Sequence, residues 1–214
     1  MEIIITANDF YPGVIPIWKQ TWDKLHNEHP ELKVTAFTIP MWGGISANDI
    51  FKNRSFKQWY TQRKSWVEVQ QTGYEYSKTA ECKKFKKPQY ALIRRGQRKI
   101  LKYAPKNYHV FKSPRDEMNY NTISILKELG YKACIRYKQV IMLQKTENIL
   151  PEYSLIETHI NINEKYPDDI QKISNKIGSM IDIYQTKKYP LLTISQLIKK
   201  TEKKTENDDV EKIT

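Results

Sequence analysis

Apolar and polar positions follow two alternating periods along this chain. Glu2–Thr6 carries a β-branched run, Ile3-Ile4-Ile5-Thr6, which predicts a buried strand. The following stretch, Ala7-Asn8-Asp9-Phe10-Tyr11-Pro12-Gly13, ends in a Pro-Gly pair that marks a turn. From Pro16 to His29 the spacing becomes helical, with Ile17, Trp18, Trp22 and Leu25 on one side, and Pro30 ends the run. Lys33–Ile39 predicts a second strand, followed by the loop Pro40-Met41-Trp42-Gly43-Gly44. Residues 46–64 read as short helical pieces, Trp66–Gln71 as an alternating strand and Thr72–Ser77 as a loop. Lys87–Tyr103 predicts a basic helix weakened by Gly96, with Pro105 beyond its end. Val110–Lys112 is a brief strand before Ser113-Pro114, and Asn119–Leu129 a helix closed by Gly130. Strands are predicted at Ala133–Arg136, Val140–Leu143, Tyr153–His159 and Tyr189–Thr193, with helices at Asp168–Tyr184 and Ser195–Lys200. Thr201–Thr214 is charged and nearly free of apolar residues, which predicts a disordered tail.

Strand and helix thus alternate from end to end, the pattern of an α/β protein with a largely parallel sheet. Seven or eight β-α units in about 200 residues make a compact, distorted (β/α) barrel spanning residues 1–200. Functional side chains of such a barrel gather at the C-terminal ends of its strands. That rule selects Asn8, Asp9, Thr72, Tyr74, Glu75, Tyr76, Ser113, Arg115 and His159.

Length and composition add limits. At 214 residues, with 39% apolar and 12% aromatic residues, the chain can bury one full-sized core. Two cysteines, Cys82 and Cys134, provide no disulfide framework or zinc finger. Neither a membrane-length apolar run nor a signal peptide is present, so the expectation is a soluble, cytoplasmic protein, in its own cell or in a host cell. The net charge of +12 is uneven: residues 52–115 hold 18 Lys and Arg against Glu68, Glu75 and Glu81, while the remainder is slightly acidic. Such a block is either a solvated face or a footprint for an anionic partner such as nucleic acid, an acidic protein or a saccharide. Phosphate-binding glycine loops, nucleophile elbows and His-Glu-x-x-His are all missing. Cys82 stands beside Lys83 and Lys84, which would lower a thiol pKa, unless the thiol is simply buried. His26 and His29 read as surface residues.

Six segments in order resemble the polysaccharide deacetylase superfamily (carbohydrate esterase family four). They are the first strand with Asn8-Asp9; Lys33-Val34-Thr35-Ala36-Phe37-Thr38-Ile39-Pro40; the strand Trp66–Gln71 with Thr72-Gly73-Tyr74-Glu75-Tyr76; Phe111-Lys112-Ser113-Pro114 with Leu126-Lys127-Glu128-Leu129-Gly130-Tyr131; Glu157-Thr158-His159; and Tyr189–Leu197. The resemblance covers about residues 1–200 and implies a deacetylase-type (β/α) barrel. In that family an Asp and two His hold a divalent metal, a second Asp acts as base, and a late His protonates the leaving amine.

By that resemblance Asn8 stands at the base position, Asp9 keeps the metal carboxylate, Thr72 and Tyr76 replace the two histidines, and His159 keeps the late one. A neutral amide cannot take up a proton at ordinary pH. A phenol must lose a proton of pKa about 10 to ligate well. The expectation is therefore no bound metal or other cofactor and a non-catalytic binding protein, with Asn8, Thr72, Tyr74, Glu75, Tyr76, Ser113 and Arg115 lining the pocket. Two alternatives stand beside it: a rebuilt hydrolytic site using Asp9, Glu157 and His159, and a polyanion binder acting through residues 52–115.

Overall fold

The computed structural model describes residues 1–76, 81–103, 109–143, 150, 152–159 and 167–211. Eight strands form one sheet: β1 (Glu2–Phe10), β2 (Val34–Thr38), β3 (Val67–Thr72), β4 (Val110–Lys112), β5 (Ala133–Arg136), β6 (Gln139–Met142), β7 (Tyr153–His159) and β8 (Leu191–Leu192). Their order is β6-β5-β4-β3-β2-β1-β7, and β8 pairs β1 at Ile3 and Ile4, below the stretch that takes β2. Every pairing is parallel except β5–β6, a hairpin. The sheet curls into a nearly closed barrel, as the strand–helix alternation predicts.

Period-two alternation divides β1 between two cores. Ile3, Ile5 and Ala7 face outward and join Val34, Ala36, Val67 and Val69 beneath the helices. The covering residues Trp18, Trp22 and Leu25 come from α1 (Ile15–Trp18), a π-helical turn (Lys19–Asp23) and α2 (Lys24–Glu28), the stretch whose spacing predicts one helix. Ile4 faces inward with Phe37, Val110, Ala133 and Ile135. Three further helices complete the outer layer: α3 (Arg54–Arg63), α4 (Lys86–Ile100) and α5 (Tyr120–Glu128). α6 (Pro167–Thr186) adds Ile177 and Ile181 to the outer core.

The last helix, α7 (Ile194–Glu211), closes the barrel floor. Its Ile194, Leu197 and Ile198 enter the inner core, and its first N–H groups are met by Thr35 Oγ1 and by the buried Glu68 carboxylate. Burial pushes the Glu68 carboxyl above its usual range, while hydrogen bonds from Thr193, Gln70 and Ser195 oppose the rise. Where composition predicts a disordered tail from Thr201, α7 instead continues to Glu211. Thr201 is buried, and Glu202 lies 3.3 Å from Lys132, so packing holds a turn that its own residues would not. Residues 212–214 of that tail lie outside the described residues.

Other departures have equally local causes. β1 runs on through Asn8 and Asp9 to Phe10, with a register shift between Ala7 and Phe10. His26 is half-buried rather than fully exposed: it stacks on Trp66 with ring centroids 4.2 Å apart, and burial, then Lys33, lowers its pKa. His29 is also largely covered, with Nδ1 3.7 Å from Asp182. Among the described residues no helix is long and apolar enough to cross a membrane.

Candidate functional site

At the C-terminal ends of β1, β3 and β4, three of the sequence-selected residues meet. Asp9 follows the register shift of β1 and has φ 58°, so its side chain turns out of the strand's alternation toward the loop after β3. That loop delivers Tyr76, whose hydroxyl donates to the Asp9 carboxylate and accepts from the Arg115 guanidinium. Arg115 comes from the turn after β4 and lies over the Tyr76 ring, 5.5 Å from its centroid. Burial and the Asp9 charge push the Tyr76 phenol up to about 12, with Arg115 pulling the other way. Asp9, Tyr76, Arg115 and Asp116 all have φ between 56° and 58°, the left-handed region that costs a non-glycine residue roughly 1–2 kcal/mol. Four such residues around one barrel mouth mark a site whose geometry the rest of the fold enforces.

The enforcement is visible. Glu81 is buried, and its carboxylate accepts from the backbone N–H groups of Tyr74 (2.6 Å), Glu75 (2.8 Å) and Tyr76 (2.5 Å). The loop after β2 braces the same turn, with Met41 N donating to Tyr74 O and Gly43 N to Glu75 O. Gly73 has φ 50°, and a Cβ there would sit 2.6 Å from Pro114 and 2.8 Å from Glu81, so only glycine fits. Gly96 has a packing role too: it lets α4 approach so closely that a Cβ would lie 2.1 Å from the Gln71 amide nitrogen and 3.1 Å from Gly73 O.

A second polar group crosses the barrel interior just below. Lys112 on β4 and Glu157 on β7 are both almost wholly buried, with Nζ 2.5 Å from Oε1, and Asp116 lies 3.2 Å from the same ammonium. Glu157 is therefore the partner of an interior lysine rather than part of the Asp9 cluster. His159 pairs in register with the buried Asn8 at the top of β1; its side chain lies outside the described residues.

The remaining candidates have other roles. Thr72 is buried at the end of β3, in register with Lys112. Tyr74 is buried against Met41, with its hydroxyl 3.4 Å from Sδ. Glu75 serves the loop through its backbone. Ser113 is wholly buried and donates to Glu117 O, so it is no pocket wall. Cys82 is buried as well, and burial raises its thiol to about 12, the reverse of what its lysine neighbours suggest. Sequence reasoning missed Lys112 and Glu81. Both carry a signal in retrospect: Lys112 is a cation inside a strand, and Glu81 is one of three acids in a strongly basic segment.

The donors at the expected metal positions are one carboxylate, one hydroxyl and a phenol held protonated by its surroundings. That set does not fit a zinc-type ion, which is held by carboxylate, imidazole or thiolate. No group of three His, Cys, Asp or Glu side chains able to hold a metal occurs among the described residues. A cavity of about 400 Å3 opens elsewhere, between β7 and α6, lined by Lys138, Glu157, Lys176 and Tyr184.

At the level of sequence the chain matches no protein-family model and no curated protein. Its structure is similar to the CE4 domain of a multidomain xylanase from the hindgut metagenome of Trinervitermes trinervoides (TM-score 0.64, 14% identity, 94% of this chain and 90% of that one). A family 4 acetyl xylan esterase from Clostridium thermocellum, in complex with a cobalt ion, gives TM-score 0.58 at 14% identity over 93% and 91% of the two chains. A CE4-family pseudoenzyme from Bacillus anthracis gives 0.54 at 10% over 92% and 64%; a mutant of it with restored enzymatic activity gives 0.53 at 10% over 92% and 66%. Identities this low speak for architecture, and the architecture is plain: the chain has the polysaccharide-deacetylase (β/α) barrel fold of the family-four carbohydrate esterases.

Proposed function

We propose that this chain is a non-catalytic protein of the deacetylase fold that binds a saccharide at the barrel mouth. One observation carries the reading: the Tyr76 hydroxyl donates to Asp9, and Arg115 lies over the Tyr76 ring. The group set against Asp9 there is a phenol of the chain itself, held protonated by its surroundings. Asn8, an amide, stands where a base would be needed, and it has no proton-accepting capacity at ordinary pH. The mouth keeps features useful for sugar binding: an exposed guanidinium over a tyrosine ring, a carboxylate, and Trp42 stacked on Tyr11 at 4.6 Å. The saccharide class is taken from the xylan-acting similar structures.

Calorimetry tests both halves. Zinc or cobalt should give no tight one-to-one heat, and xylo-oligosaccharides should bind with an affinity that Arg115→Ala lowers at least tenfold. Tight metal binding abolished by Asp9→Ala, or Asp9-dependent acetate release from acetylated xylo-oligosaccharides, would overturn the reading.

A further inference from the structure

The outer face of α4 is a second surface with its own chemistry. From Cys82 to Arg115 the chain has 12 Lys and Arg and no Asp or Glu. Within that stretch Lys87, Arg94, Arg95 and Arg98 are exposed on the side of α4 opposite the buried Ile93, Gly96 and Ile100, and Lys102 is exposed in the turn just beyond the helix. Helical spacing brings them into one stripe about 22 Å long. Three acids beside the helix pair with other lysines: Asp49 with Lys99, Glu128 with Lys86, and Glu117 with Lys83. Among the described residues none of these five cations takes part in an ion pair, so their like charges sum along the stripe.

Aromatic rings stand exposed at both ends. Phe51 is 47% exposed and lies between two ammonium groups, with Lys102 Nζ 5.2 Å and Lys57 Nζ 6.0 Å from its centroid. Phe85, the residue before α4, is 87% exposed. A large apolar ring held at the surface among cations has nothing to gain from water. It suits a partner that offers a flat π-face and a negative charge together. An acidic peptide supplies the charge without the face, whereas single-stranded nucleic acid supplies both, with bases stacked on rings and phosphates along a basic track.

We infer that the α4 stripe, with Phe51 at its C-terminal end, is a binding surface for single-stranded nucleic acid. The surface lies outside the barrel mouth and does not depend on the saccharide reading.

Fluorescence anisotropy with a labelled oligothymidylate of about 20 nucleotides tests it on the full chain. Five phosphate contacts on a single strand give a log–log salt slope of about −3.5, a loss of about 100-fold between 50 and 200 mM salt. Arg94→Gln/Arg95→Gln/Arg98→Gln should weaken binding at least tenfold and flatten the slope by about 2. Phe51→Ala should cost at least fivefold through lost stacking. Both variants alter exposed side chains, and circular dichroism verifies that they fold; Asp9→Ala should bind the oligonucleotide like the parent. Salt-independent binding, an unaffected triple variant, or poly-glutamate competing as well as the oligonucleotide at equal charge would each overturn the inference. So would duplex DNA bound as tightly as the single strand with no effect of Phe51→Ala.

Discussion

Removing the ammonium from the barrel interior, by Lys112→Met, tests how the polar layer under the mouth is held together. Lys112 and Glu157 come from strands on opposite sides of the barrel, 45 residues apart in sequence, and each side chain is only 5% exposed. Two charges buried together are not necessarily stabilising relative to apolar residues, but one of them left alone is expensive, typically about 3–5 kcal/mol. Lys112→Met should therefore cost about 4 kcal/mol, which for a chain of this size lowers Tm by about 8–16 °C. Glu157→Gln should cost less, because Lys112 retains Asp116 at 3.2 Å. Lys112→Met/Glu157→Met removes both charges and should recover most of the loss, a coupling of at least about 2 kcal/mol. Urea melts followed by circular dichroism, at neutral pH and identical protein concentration, give all four stabilities. Additive single losses in the double variant, or a Lys112→Met cost under about 1 kcal/mol, would show that no such buried pair exists.

Four further outcomes follow from the same packing. Gly96→Ala raises intrinsic helix propensity by about 1 kcal/mol, yet it should destabilise by about 1–3 kcal/mol because its methyl meets Gln71 and Gly73; a chemical melt gives the sign. Glu81→Ala takes the acceptor from three N–H groups, one buried and two partly buried, and should cost about 3 kcal/mol and speed amide exchange at Tyr74, Glu75 and Tyr76. Tyr76 titrates near 12 against about 10 when unfolded, so its contribution is complete below pH 10 and lost as pH rises toward 12; ultraviolet titration of Tyr76→Phe should lack that late-ionising phenol. For His26 the folded pKa is lowered, so its contribution is present above about pH 6.5 and lost as pH falls; His26→Gln should flatten the acid limb of a stability–pH curve.

The metal positions can also be rebuilt. Since Asp9 and Tyr76 already touch, Thr72→His/Tyr76→His should raise zinc affinity well above the parent's, measurable with a chromophoric chelator. Affinity no better than the parent's in a folded double variant would show that Thr72 does not point to the same place.

What the sequence alone determined is whatever depends on local period and order. The run Ile3-Ile4-Ile5, the helical spacing of Trp18, Trp22 and Leu25, and the six segments in deacetylase order were enough to place the barrel and to bring Asp9 and Tyr76 to its mouth. Tertiary structure decided the rest. Whether Glu157 is a free acid or the partner of a lysine depends on a strand across the barrel. The Cys82 thiol follows its burial, not its charged neighbours, because desolvation is set by what packs on a group. The same holds for Ser113, which is wholly buried rather than lining the mouth, and for α7, whose charged turns persist past Thr201 where the barrel floor supports them. Local patterning records which residues can lie inside; which of them meet is a property of closure, and closure joins residues whose distance along the chain carries no trace of their contact.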